Sequence, residues 1–450
     1  MKRRGIKPTS RTYGTLLKGY TQIEDWSAFK VQLENVCNLW DQLQAYVENV
    51  GRDPDLQSDL SNIPYNLLIE IFGKAKDYQS MFDVYNSMDA DGPILPDIFT
   101  YTILLNSIAN RKTLQPSPSL AALGGDLLQR NADDAKLIWR QLLRTCGTPD
   151  THSVRAVLVT LSRGCDADQK MVLDIARDYL GLSEPNSPVS HPKISLHGLT
   201  LNLILAMCNK TERYHHTLNY VEQAKNSNRR SILTREHIGF ALEAHACLSS
   251  KDSGQAAAAL ETLEWMLQES ALPQTHVRGS GIGPQIRPRP REFDAVALTC
   301  LRNSDWDGMC RTFELLTGHK CDEFRGPTKR PRPNFGAPQV VPSVPFIAWF
   351  LQLARSTGDH ANMRLALHIF GFYEPMLTNR LAYIPAGSAD ADAIHEVKRR
   401  RDSLALADVL KDILPFMMES ANESEVKVWN AWLKHAKKVQ ATGGKTRWGN

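Results

Sequence analysis

The sequence predicts an all-α solenoid of antiparallel helical hairpins, and three observations carry that reading. The first is a helix that recurs. Tyr13-Gly-Thr-Leu-Leu17, Tyr65-Asn-Leu-Leu-Ile69 and Tyr101-Thr-Ile-Leu-Leu105, continued by Tyr20, Phe72 and Ile108, repeat apolar residues at i, i+3, i+4 and i+7, the stripe with which a helix buries one face. The second is a partner helix of the same period between the second and third copies, carried by Met81, Val84, Tyr85 and Met88 and followed by Pro96-Asp97. The third is the interval from Tyr65 to Tyr101, 36 residues (101 − 65), which is the period of a two-helix repeat.

The elements follow in order. The Tyr13 helix pairs with Val36-Leu39-Trp40-Leu43, and the Tyr101 helix with Ala135-Ile138-Trp139-Leu142. First-helix spacing returns at Val154-Val157-Leu158-Leu161, Leu201-Ile204-Leu205-Cys208, His237-Phe240-Ala241-Ala244 and Phe293-Val296-Ala297-Cys300. Their partners are Val172-Ile175-Ala176-Tyr179, Thr217-Tyr220-Val221-Ala224, a helix around Leu260-Leu263-Leu267, and Met309-Thr312-Phe313-Leu316. Further helical pairs are expected over 346–353, 361–372, 389–410 and 423–439.

Insertions account for the uneven spacing: 52 residues separate Tyr13 from Tyr65 (65 − 13), and 53 separate Tyr101 from Val154 (154 − 101). Breaker-rich stretches supply the extra length, at Leu114-Gln-Pro-Ser-Pro-Ser-Leu120 and from Leu182 to Pro192. Two basic Pro-rich segments, 273–292 with Arg287-Pro-Arg-Pro-Arg291 and 321–345 with Lys329-Arg-Pro-Arg332, read as linkers because proline cannot continue a helix. The expected organisation is a partial repeat and first hairpin with an insertion (1–61), a near-consensus repeat (62–97), a repeat with an inserted loop (98–150) and degenerate repeats (151–272). A linker (273–292), a hairpin (293–320), a second linker (321–345) and C-terminal helical pairs with a basic tail (346–450) complete it.

Composition agrees with a helical, non-membrane chain. Of 450 residues 42% are hydrophobic and 23% charged, and no apolar run approaches the roughly 20 residues of a bilayer span. Eight cysteines are scattered without a CxxC pair, so they read as reduced core residues and not as metal ligands. Net charge is only +4, but it is uneven: Lys2, Arg3, Arg4, Lys7, Arg11 and Lys18 share a stretch without an acid, and Lys434, Lys437, Lys438, Lys445 and Arg447 fill the tail. Such patches suit phosphate contacts, and each equally suits a solvated surface.

Residues 62 to 97 resemble a unit of the pentatricopeptide repeat family. They carry Tyr65-Asn66-x-Leu68-Ile69, Phe72-Gly73-Lys74-Ala75, Val84-Tyr85-x-x-Met88, Gly92 and Pro96-Asp97. Arg4-Gly5-Ile6-Lys7-Pro8 looks like the close of a preceding unit, so the chain is expected to begin inside a repeat, with earlier units absent or a truncated one serving as a cap. The resemblance implies a right-handed superhelix of hairpins in which the residue after the first-helix aromatic, with the last residue of the repeat, reads one base of single-stranded RNA. On that pattern Asn66 with Asp97 is the uracil-reading combination, and Thr102 with Asp150 resembles the guanine-reading one. Gly14 with Ser61 departs from any readable pair, as do Arg155 and Asn202. Asp97 and Asp150 also fit the simpler role of N-cap residues.

Signals for catalysis are poor. Gly444-Lys445-Thr446 has Val439 where a phosphate-binding loop needs glycine, His215-His216 lacks an i+4 histidine, and Gly279-Ser-Gly-Ile-Gly-Pro284 lacks the dinucleotide-binding spacing. No cofactor or metal is expected. The resemblance implies a non-catalytic RNA adaptor in transcript stability, processing or translation, located in mitochondria and similar to divergent members outside plants, such as fungal ones. The competing class is a protein-interaction scaffold of the tetratricopeptide type in an organellar assembly, with a protein partner for the C-terminal half.

Overall fold

The computed structural model describes residues 8–50, 60–88, 94–111, 121–188, 191–227, 229–271, 286–325, 340–382 and 389–444. Among these residues the secondary structure is helical, without strands. The chain forms two compact units, Met1–Met207 and Cys208–Asn450.

The first unit holds α1 (Ser10–Tyr20), α2 (Lys30–Val50), α3 (Ile63–Ala75), α4 (Tyr78–Asn86), α5 (Ile98–Asn110), α6 (Ala121–Cys146), α7 (Thr151–Leu161) and α8 (Asp166–Leu180). The division between the units falls within α9 (Gly198–Lys210). The second unit continues with α10 (Tyr214–Lys225), α11 (Arg235–Leu248), α12 (Gln255–Ala271), α13 (Pro290–Asn303), α14 (Trp306–Thr317), α15 (Val344–Thr357), α16 (His360–Ala382), α17 (Ala389–Met418) and α18 (Glu423–Ala441). In the first unit each odd helix packs on its even partner and on the next odd helix, as α1, α3, α5 and α7 do in succession. The second unit repeats this with α11, α13, α15 and α17. That is solenoid packing.

Local chemistry sets the helix starts. Asp97 and Asp150 accept from the backbone N–H of Thr100 and Ser153, and so cap α5 and α7; Asp77 and Asp305 cap the second helices α4 and α14. Some hairpin turns use a left-handed residue, Lys76 at φ 62° after α3 and Ser304 at φ 55° after α13. Non-glycine residues there carry roughly 1–2 kcal/mol of strain, which packing must offset. Tyr65, Leu68, Ile69 and Phe72 are almost wholly buried, as are Tyr101, Leu104, Leu105 and Ile108. Each such side chain contributes about 1.5–3 kcal/mol. Close approach matters as well: a Cβ on Gly73 of α3 would lie 2.2 Å from Ser107 Oγ of α5.

One link recurs from hairpin to hairpin. Lys74 Nζ donates to the Thr21 carbonyl at 2.8 Å, Arg163 to the Ala109 carbonyl at 2.9 Å, and Arg302 to the Ala246 carbonyl. In each case a cation at the end of one first helix satisfies a carbonyl at the end of the preceding one, where the helix dipole favours positive charge.

Several sequence expectations need correction. Leu16 is half exposed, so the α1 stripe is narrower than its spacing predicts. In α11 the register is one residue later: His237 forms the capping box with Thr234, and Ile238 takes the place of Tyr65 in the core. Both linkers are shorter than predicted, because α13 starts at Pro290, where proline loses no helical bond, and Cys321 and Phe324 are buried in a 3-10 turn. α16 and α17 run past 372 and 410 with Pro375 and Pro415 inside them, sustained by buried Leu377 and Met417. All eight cysteines are free, but Cys37 and Cys165 are exposed and are not core residues. The breaker stretch 114–120 lies outside the described residues.

Candidate nucleic-acid interface

The structure joins Asn66 and Asp97 directly. Asn66 Nδ2 donates to Asp97 Oδ1 at 3.3 Å, and Thr100 Oγ1 donates to Asn66 Oδ1 at 2.7 Å. Asp97 Oδ1 also accepts the Thr100 backbone N–H at 2.9 Å, while the Asp97 N–H donates to Thr100 Oγ1 at 3.0 Å. Thr100 is fully buried, and Asn66 and Asp97 are half-buried at the rim. The cap and the pair, alternatives in sequence, are therefore one network: the carboxylate that starts α5 also holds the amide of α3. Among the described residues Asp97 Oδ2 and the second Asn66 N–H make no hydrogen bond to protein, which leaves an acceptor and a donor of the network unused.

The next pair is not joined in this way. Thr102 Oγ1 donates to the Ile98 carbonyl at 2.7 Å within its own helix, and Asp150 accepts from the Ser153 N–H at 2.7 Å. Ser153 turns its hydroxyl to the Asp150 carbonyl at 3.0 Å and does not bridge to Thr102 as Thr100 does to Asn66. Arg155 is exposed on α7. Asn202 is half-buried with its Oδ1 buried and without a hydrogen-bond partner. Gly14 is buried, with Ile63 Cγ2 only 3.7 Å from where its Cβ would stand, so it offers no surface to a ligand. Its sequence partner Ser61 instead bonds Ser10, Oγ to Oγ, at 3.3 Å.

Two features went unread in the sequence. Ile63 and Phe99 are 59% and 68% exposed and stand one turn before Asn66 and Thr102; Leu199 does the same before Asn202. Of these Phe99 is aromatic, the kind of side chain on which a base can stack; the recurring i−3 spacing was the available signal. The second is Asp294, which follows Phe293 as Asn66 follows Tyr65, and which accepts from Ser343 Oγ at 2.7 Å. Burial pushes the Asp294 carboxyl up to about 6, with the Ser343 bond and Lys398 opposing and Asp402 and Glu292 adding to the rise. Its signal was the same aromatic-plus-one position, obscured by the long interval to Ser343.

Of the basic patches, Arg11, Lys18, Lys434, Lys437 and Lys438 are described, whereas Lys2 to Lys7, Lys329 to Arg332, Lys445 and Arg447 lie outside the described residues. No group of histidine, cysteine and carboxylate side chains that could hold a metal occurs among the described residues, and none of their helices is long and apolar enough to cross a membrane.

Residues 61–110 match the family model of the PPR repeat family. No curated protein matches the chain significantly. Among solved structures, the pentatricopeptide repeat protein PPR10 in complex with an 18-nt psaJ RNA element is 16% identical with a TM-score of 0.38, covering 99% of this chain and 57% of that one. The pentatricopeptide repeat protein PPR10 from maize is 16% identical with a TM-score of 0.36, covering 99% of this chain and 60% of that one. The chain thus spans less than two thirds of the structures it matches. The matched segment is the one whose Tyr65 and Tyr101 helices stack 36 residues apart around the bonded Asn66 and Asp97, and it is this segment that is similar to the PPR repeat family.

Proposed function

We propose that the protein is a non-catalytic adaptor for single-stranded RNA that acts on mitochondrial transcripts, in their stability, processing or translation. The observation that carries the reading is the Asn66–Asp97 bond, which presents a fixed donor and a fixed acceptor at the rim between adjacent hairpins. A base edge is recognised by such paired groups, and Ile63 and Phe99 offer apolar surface beside it. The relative named for its complex with an RNA element agrees with this reading. Crosslinking the protein in cells and sequencing the recovered RNA tests it: enrichment of mitochondrial transcripts is expected, and recovery of a stoichiometric protein partner without RNA would overturn it.

A second reading applies to residues 346–450. A cleft of about 610 Å3 between α15 and α17 is lined by Trp349, Ala348 and Val409 among Arg355, Arg401 and Asp412. Its mixed apolar and charged lining fits a protein segment better than a polyanion, and supports a protein partner for this part of the chain.

A further inference from the structure

In the second unit a cavity of about 470 Å3 opens between the start of α11 and the segment leading into α13, lined by Thr234, Arg235, Glu236, Arg287, Pro288 and Arg289. Three arginines line it, of which Arg235 is paired with Glu292. Glu236 is the one acid in the lining, because the nearby Glu292 is buried and occupied: it accepts the Arg289 backbone N–H at 2.7 Å and lies 3.7 Å from Arg235 Nε. Arg287 and Arg289 are exposed, and neither has a carboxylate partner among the described residues. Each precedes a proline, which holds its backbone extended; Arg289 is at φ −111° and ψ 169°. Their side chains are therefore presented from a stiff extended segment, with little backbone freedom left to lose on binding. The first turns of two 14-residue helices, α11 and α13, form part of the wall and add their positive ends.

Register defines what this cavity replaces. Asn66 stands one residue after the buried Tyr65, and Asp97 is the N-cap of the next first helix. The counterparts here are Gly239, one residue after buried Ile238, and Arg289, the N-cap of α13. Gly239 has no side chain to read a base edge, and its Cβ position is open, with Glu292 Oε1 the nearest atom at 3.9 Å. A cation stands where the second hairpin has a carboxylate. We propose that the cavity of Arg235, Arg287 and Arg289 is a phosphate clamp that grips the sugar–phosphate backbone of single-stranded RNA without reading a base. The fork of a guanidinium matches two phosphate oxygens, and a backbone contact fixes a strand without regard to its sequence. The proposal rests on RNA being the ligand of this protein.

The test uses the full chain, the exposed double variant Arg287→Gln/Arg289→Gln, a short single-stranded RNA, and an abasic ribose–phosphate strand of equal length. The variant should keep the parent melting curve and the parent base preference. Its log affinity against log salt should flatten by about 1.4, two phosphates at roughly 0.7 each, and binding of the abasic strand should weaken in parallel. An unchanged slope in the variant overturns the clamp. RNA bound with no affinity for the abasic strand overturns the clamp and leaves the adaptor reading in place. An abasic strand bound by the parent and lost by the variant, without base preference in RNA, supports the clamp and removes the reading of bases. Absence of binding to either strand overturns both.

Discussion

Asn66 of one hairpin and Asp97 of the next are held 3.3 Å apart, Nδ2 to Oδ1, by a buried threonine that bonds to both. On the proposed function, discrimination at this rim position would belong to two repeats and not to one helix. Replacing Asn66 by Thr recreates the residue types of Thr102 and Asp150, and is expected to move the preferred base at one RNA position from uracil toward guanine. The change should be on the order of 1–3 kcal/mol in discrimination, with general affinity little altered. Sequencing a randomised RNA pool selected by each protein measures it; identical preferences would show that Asn66 does not contact a base.

Thr100 tests the support of that pair. It is fully buried, and its hydroxyl accepts from the Asp97 N–H while donating to Asn66. Thr100→Val keeps the shape and leaves both partners unsatisfied, so a loss of about 1–3 kcal/mol is expected in a denaturant melt. Base preference at the Asn66 position should also broaden. A melt within error of the parent would mean that water or another side chain replaces the hydroxyl.

Leu68 tests the stacking of hairpins. It is fully buried, on the helix that packs against both α1 and α5. Leu68→Ala is expected to lower stability by about 2–5 kcal/mol, as other buried leucine truncations do, and hydrogen exchange should rise in the neighbouring hairpins as well as in its own. Exchange confined to residues 63–86 would show that the repeats are not coupled.

Asp294 gives a pH dependence with an unusual sign. Its carboxyl ordinarily titrates near 3.8 and is pushed to about 6 in the fold, chiefly by burial. Between those values the folded chain binds more protons than the unfolded one, so the contribution of the neutral acid to stability is lost as pH rises through 6. Asp294→Asn stays neutral and should be the more stable protein at pH 7.5, by up to about 3 kcal/mol, with the gap closing toward pH 4. Melts of both proteins across that range decide it; parallel curves would place the titration elsewhere.

The sequence by itself determined the hairpins. A 3.6-residue apolar period is a local property, and Tyr65, Leu68, Ile69 and Phe72 can satisfy it only by burying one helix face, so the existence and order of the helices were legible, whereas the pairing of Asn66 with Asp97 was implied only by the family resemblance of residues 62–97. Tertiary structure decided what depends on neighbours. Burial turned Gly14 into packing against Ile63, because α3 covers the position that spacing alone leaves open. Residues distant in sequence decided the state of Asp294, since Ser343 is 49 positions away and the Lys398 charge comes from another helix. Proline showed the same limit: Pro375 and Pro415 break a helix by their local chemistry, yet the helices continue where Leu377 and Met417 pack into the core. Periodicity fixes which face is buried; only the packed neighbours fix which polar group on the rim is held, covered or left open to a ligand.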